Sequence, residues 1–206
     1  MQPGDQSWRE TETGRKLKAA GKPEADSKPG MNRGEIFGGM KMVALQTDEL
    51  KEFTRQLFIG DTFDHFLVRE VKIVTFNSFQ IDGRIRPGYY SSDEAQVRRL
   101  EDFSAWSALR PFCFSLIKGR HLPESFHIVL QLSDSEKEAF VSGRASGFAP
   151  SEVNGLYLNI RYEDRALTCI TGTSVSRFTL DRSLEQEWDG AVKEFLKKKG
   201  LAFFEV

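Results

Sequence analysis

Cysteine is scarce in this chain, with two in 206 residues, Cys113 and Cys169. Two thiols cannot build the disulfide scaffold of a small secreted domain. Each lies in an apolar setting, Phe-Cys-Phe and Thr-Cys-Ile. Both are therefore expected to be buried, reduced and structural, as in a cytoplasmic protein. Long hydrophobic runs are also missing. No stretch approaches the roughly 18 apolar residues of a membrane span, and the leading residues lack the hydrophobic centre of a signal peptide. Excess charge of either sign is absent, since 29 Lys and Arg stand against 30 Asp and Glu for a formal net charge of −1. Such a balance provides no whole-molecule field to draw in nucleic acid or an anionic membrane, although a local basic patch is compatible with it.

Signatures of chemistry are missing as well. No glycine-rich loop matches either phosphate-binding pattern. His121 and His127 stand apart, with no partnering cysteine at ligand spacing. Gly172-Thr173-Ser174-Val175-Ser176 invites comparison with a nucleophile elbow but lacks the final glycine, and it reads as a hairpin turn between two strands. Asp61, Asp64 and His65 could serve a metal or an acid–base pair, but their place before a strand favours turn formation. The sequence thus predicts no catalytic residue, no metal and no cofactor.

Residues 1–39 hold three of the seven prolines, seven of the 17 glycines and almost no aliphatic side chains. With little to bury, this stretch is expected to be disordered, or else a mis-assigned extension whose true start is Met40 or Met42. From residue 40 to 206 the pattern changes to periodic apolar segments and turn signals, predicting a single α+β domain. The chain's 17 Phe, 4 Tyr and 3 Trp promise an aromatic-rich core.

Strands are expected near 43–45, 66–76, 78–85, 112–117, 126–132, 155–162, 165–171 and 174–180. Thr47 is read as the N-cap of a helix over 48–58 and Ser133 as the cap of one over 134–141. Residues 91–110 have helical character, ended by Pro111. The final helix carries Ser183 and Gln186 as a capping box, an apolar stripe of Leu184, Trp188, Ala191, Val192 and Phe195, and Gly200 as its stop. Gly190 in its middle suggests a close backbone approach.

A shift of 86 positions superposes Val43 on Val129, Thr47 on Ser133, Asp48 on Asp134, Lys51 on Lys137, Glu52 on Glu138, Val74 on Ile160, Phe76 on Tyr162 and Ile81 on Leu167. Two β-α-β-β-β units could follow, a pairing similar to the half-domains of DNA polymerase sliding clamps. That likeness implies DNA contact, but Asp48, Glu49, Glu52 and Asp134, Glu136, Glu138 make both helices acidic or mixed where clamp helices are basic. From Met42 onward the chain also resembles a bacterial family of uncharacterised proteins. The residues carrying this are Thr62-Phe63-Asp64-His65-Phe66, Thr75-Phe76-Asn77, Ile81-Asp82-Gly83-Arg84, Ile117-Lys118-Gly119-Arg120 with Pro123, Asn154-Gly155-Leu156, Asn159-Ile160-Arg161-Tyr162, Thr171-Gly172-Thr173-Ser174 and Phe178-Thr179-Leu180-Asp181. The resemblance implies no activity and no functional residues.

The candidate binding residues are basic and aromatic: Arg84, Arg86, Tyr89, Trp106, Arg110, Lys118 and Arg120. Such side chains anchor protein partners or hold phosphates and stack bases. The leading expectation is a non-enzymatic cytoplasmic binding or interaction domain with a protein partner. The alternatives are nucleic-acid contact through Arg84, Arg86, Tyr89 and Arg120, and an enzyme whose site assembles Asp64, His65 and Arg120.

Overall fold

The computed structural model describes residues 43–98 and 101–206. The expectations about residues 1–39 and about a start at Met40 or Met42 lie outside the described residues. The fold is α+β. Seven strands, β1 (Ala44–Thr47), β2 (Leu67–Val74), β3 (Ser78–Asp82), β4 (Ser125–Gln131), β5 (Val153–Glu163), β6 (Ala166–Val175) and β7 (Phe203–Glu205), form one sheet in the order β3-β2-β4-β5-β6-β1-β7. Every neighbouring pair is antiparallel. The helices are α1 (Leu50–Phe58), α2 (Ser92–Arg98), α3 (Trp106–Ile117), α4 (Asp134–Arg144) and α5 (Ser183–Lys198).

Register explains why the helices cover one face. Ile81, Val71, Ile128, Ile160, Cys169 and Leu45 pair in sequence across six strands and make one apolar row. One residue along, Gln80, Lys72, His127, Arg161, Thr168 and Gln46 make a polar row on the opposite face. Side chains alternate along a strand, so a one-residue slip in any strand would exchange the two rows. The apolar face joins Phe53 and Leu57 of α1, Trp106 and Cys113 of α3, Val141 of α4 and Leu184, Trp188, Val192 and Leu196 of α5 in a single core. Both cysteines are free and buried, as expected.

Several elements differ from the sequence reading. Residues 112–117 are the second half of α3, not a strand. Pro111 lies inside this helix instead of ending it. The carbonyl that loses a partner belongs to Ser107, an exposed residue where water can serve. The apolar run Phe112–Ile117 suits a buried strand or a buried helix equally, and length decides such cases. Residues 172–175 continue β6, with Gly172 paired to Tyr157, so the expected hairpin turn and the separate strand over 174–180 do not form. Phe178 and Leu180 are almost fully exposed.

Thr47 ends β1. Its hydroxyl accepts from the Glu49 N–H and donates to the Ala202 carbonyl, and α1 starts at Leu50 without a side-chain cap. Ser133 and Glu136 do form a capping box on α4. Ser183 is instead the first residue of α5, and the Asp181 carboxylate takes its N–H at 2.8 Å. A Cβ on Gly190 would meet nothing within 4 Å, so no close approach explains that glycine. Gly200, at φ +70°, does stop α5.

The order β-α-β-β occurs twice, as β1-α1-β2-β3 and β4-α4-β5-β6. Equivalent strands nevertheless have different neighbours: β4 lies between β2 and β5, whereas β1 lies between β6 and β7. The first half is followed by α2 and α3 in place of the further strand.

Candidate functional site

A concavity runs between α1 and α3. Helix α1 is amphipathic, with Phe53, Leu57 and Phe58 buried and Glu52 and Arg55, paired at 2.6 Å, among the residues that line the groove. The hydrogen bond from Arg55, then that from Gln56, holds the Glu52 carboxyl down at about 2. At the far end of α1, the Trp106 indole N–H donates to the Leu57 carbonyl at 2.8 Å. Arg110 donates to the carbonyls of Ile59 and Gly60 and pairs with Asp64 at 3.0 Å. A guanidinium suits this place, because a helix ends in unpaired carbonyls and a negative dipole end. The start of α3 therefore grips the end of α1, and the two helices run in opposite directions.

The groove between them encloses about 820 Å³ and is lined by Leu50, Phe58, Ile59, Phe114 and Ile117, with Asp48, Glu49, Lys51 and Lys118 among its charged residues. Its apolar wall follows from the composition of α3. The sequence Trp-Ser-Ala-Leu-Arg-Pro-Phe-Cys-Phe-Ser-Leu-Ile is apolar around most of its circumference, yet only Trp106 and Cys113 are buried. Phe114 and Ile117 are half-buried, and Phe112 is 66% exposed on another side of the helix. A helix apolar all round ordinarily has neighbours all round. This one lacks them among the described residues.

The basic and aromatic candidates serve different places. Trp106 is fully buried in the core. Arg110 closes α1. Lys118 lies at the opposite end of α3 from Arg110 and lines the groove. Arg86 and Tyr89 are exposed in the segment after β3, where Tyr89 makes an edge contact with Tyr90 at 4.9 Å between centroids. Arg120 is exposed beyond α3. Arg84 lies over the Phe103 ring, its guanidinium carbon 5.0 Å from the centroid.

Asp64 is engaged with Arg110, and His65 rests on Phe66 and Phe195 at centroid distances of 4.2 and 5.7 Å. Partial desolvation against those rings lowers the His65 pKa. Neither residue lines the groove, nor does Arg120. Among the described residues, no group of three or more His, Cys, Asp or Glu could hold a metal ion, and no helix is long and apolar enough to cross a membrane. The groove residues Leu50, Phe58 and Ile59 carry no mark of a site in the sequence, because a partner-facing apolar side chain has the same composition as a core one.

A family model described as a family of unknown function (DUF5721) matches residues 56–204. No curated protein and no solved structure matches.

Proposed function

We propose that this chain, which belongs to the DUF5721 family of unknown function, is a cytoplasmic, non-enzymatic interaction protein that receives an amphipathic helical segment of a protein partner between α1 and α3. The observation that carries this reading is α3 itself, an apolar helix with only Trp106 and Cys113 buried. Covering exposed apolar area contributes roughly 25 cal/mol per Å², so a groove walled by Phe114, Ile117 and Ile59 favours an apolar occupant. Helices bind such grooves through anchors at i, i+3 or i+4 and i+7. Asp48, Glu49, Lys51 and Lys118 along the lining suit an occupant whose flanking charges are of both signs. Two free, buried thiols support a reducing compartment.

Selection from a library of random helix-length peptides tests the reading. Binders are expected to carry helically spaced apolar anchors and to lose affinity on Ile59→Glu, a substitution at a residue 59% exposed that leaves the core intact. Phe178→Glu, at a 90% exposed apolar residue outside the groove lining, is expected to leave binding unchanged. Peptides insensitive to Ile59→Glu, or no binders at all, would remove the groove from consideration.

A further inference from the structure

A second site lies away from the groove, where a short segment is inserted beside the sheet. Val68 donates its N–H to the Ser104 carbonyl, Ser104 to Gly83, and Gly83 to Arg69, so residues 102–105 lie between the start of β2 and the end of the β3 hairpin. Phe103 pairs with Arg84 across this insertion. The approach is close enough to require a glycine: a Cβ on Gly83 would collide with the Val68 carbonyl oxygen. A register shift between Val68 and Glu70 brings Arg69 to the same place.

Phe103 is only 7% exposed but is not part of the main core. Two guanidiniums cover it, that of Arg69 at 4.2 Å and that of Arg84 at 5.0 Å from the ring centroid. The two charges are thus no farther apart than the sum of those distances. Among the described residues, neither forms an ion pair and neither side chain donates a hydrogen bond. Each guanidinium has five N–H donors in a rigid fork, and two like charges within about 9 Å repel one another weakly through water. An aliphatic side chain would cover a phenyl ring without either cost.

We infer that Arg69 and Arg84, stacked on Phe103, form an anion site for a phosphate group. The ring holds both forks in place by cation–π contact, and a tetrahedral oxyanion bridging them would accept from each and remove their repulsion. The phosphate could be free or could belong to a nucleic acid backbone. Exposed Arg86 and Tyr89 lie in the segment that follows Arg84 and could extend contact along a strand.

The test titrates full-length protein at low salt with inorganic pyrophosphate and, separately, with a short single-stranded oligonucleotide, following NMR shifts and heat. Wild type is expected to bind at least one of the two, and Arg69→Gln with Arg84→Gln together to weaken that binding about tenfold or more with an unchanged Tm. Loss of pyrophosphate binding assigns a small-molecule phosphate. Loss confined to the oligonucleotide, with further weakening by Tyr89→Ala, assigns a nucleic acid. Absence of binding by wild type, or equal binding by the double variant, would overturn the site.

Discussion

His127 shows how placement alone sets a residue's behaviour. It projects from β4 on the polar face of the sheet, paired with Lys72 on one side and Arg161 on the other. Burial first, then the Arg161 charge, lowers its pKa below the ordinary 6.5, with Lys72 acting in the same direction and Asn159 and Glu70 opposing. The unfolded chain has no such neighbours and takes up the proton first. Stability contributed by neutral His127 is therefore present above the unfolded value and lost as pH falls from there through the folded value. Urea unfolding at pH 7.5 and 5.5 is expected to show this loss, and His127→Gln to reduce it. An equal pH slope in the variant would show that this imidazole does not titrate differently on folding.

At the same scale, Trp106 and Arg110 show why residue type alone does not reveal a site. Both are candidate partner anchors by type, and both are committed to closing α1. Variants at Trp106 accordingly report on folding before they report on binding. Arg84 is legible in the sequence as a cation in a turn-rich segment. Its counterpart Arg69 is not, because only the register shift in β2 brings the two to one ring.

Among the elements, α5 is the most legible. Its stripe, Lys197 and Lys198 in its last turn and its stop at Gly200 agree with one another, and local agreement of this kind is what makes a segment predictable. Gly190 breaks that agreement without compensation, since a methyl group placed there would meet nothing within 4 Å. Gly190→Ala is expected to stabilise the protein by about 0.5–1 kcal/mol, read as a higher urea midpoint at constant slope. A destabilised variant would reveal a packing role for that glycine.

The least legible element is α3. A proline in its middle and an apolar run after it both argue locally for an end and a new strand. What overrides them is tertiary: α3 begins where its Trp106 N–H meets the Phe66 carbonyl, and it continues because α1 and β2 hold it. The strand over 174–180 fails for a related reason. β6 runs on to Val175 because β5 is long enough to pair with it, information held in Val153 to Glu163 and not in the Gly172 region.

For the whole molecule, the alternation of apolar and polar rows makes the fold class and the one-sided sheet readable, since burying one face requires it. The order of strands is not readable. The repeated β-α-β-β pattern suggests equivalent positions for β1 and β4, yet β1 joins the sheet beside the chain's last strand, β7, while β4 lies between β2 and β5. Nothing local in either short strand distinguishes those partners.

The binding role rests on the groove between α1 and α3. Backbone amide shifts of the labelled full-length chain, recorded on titration with a selected helical peptide, test it most directly. The account predicts that the perturbed amides cluster at 48–59 and 114–118. Perturbations confined to other faces, with these two stretches unmoved, would contradict it.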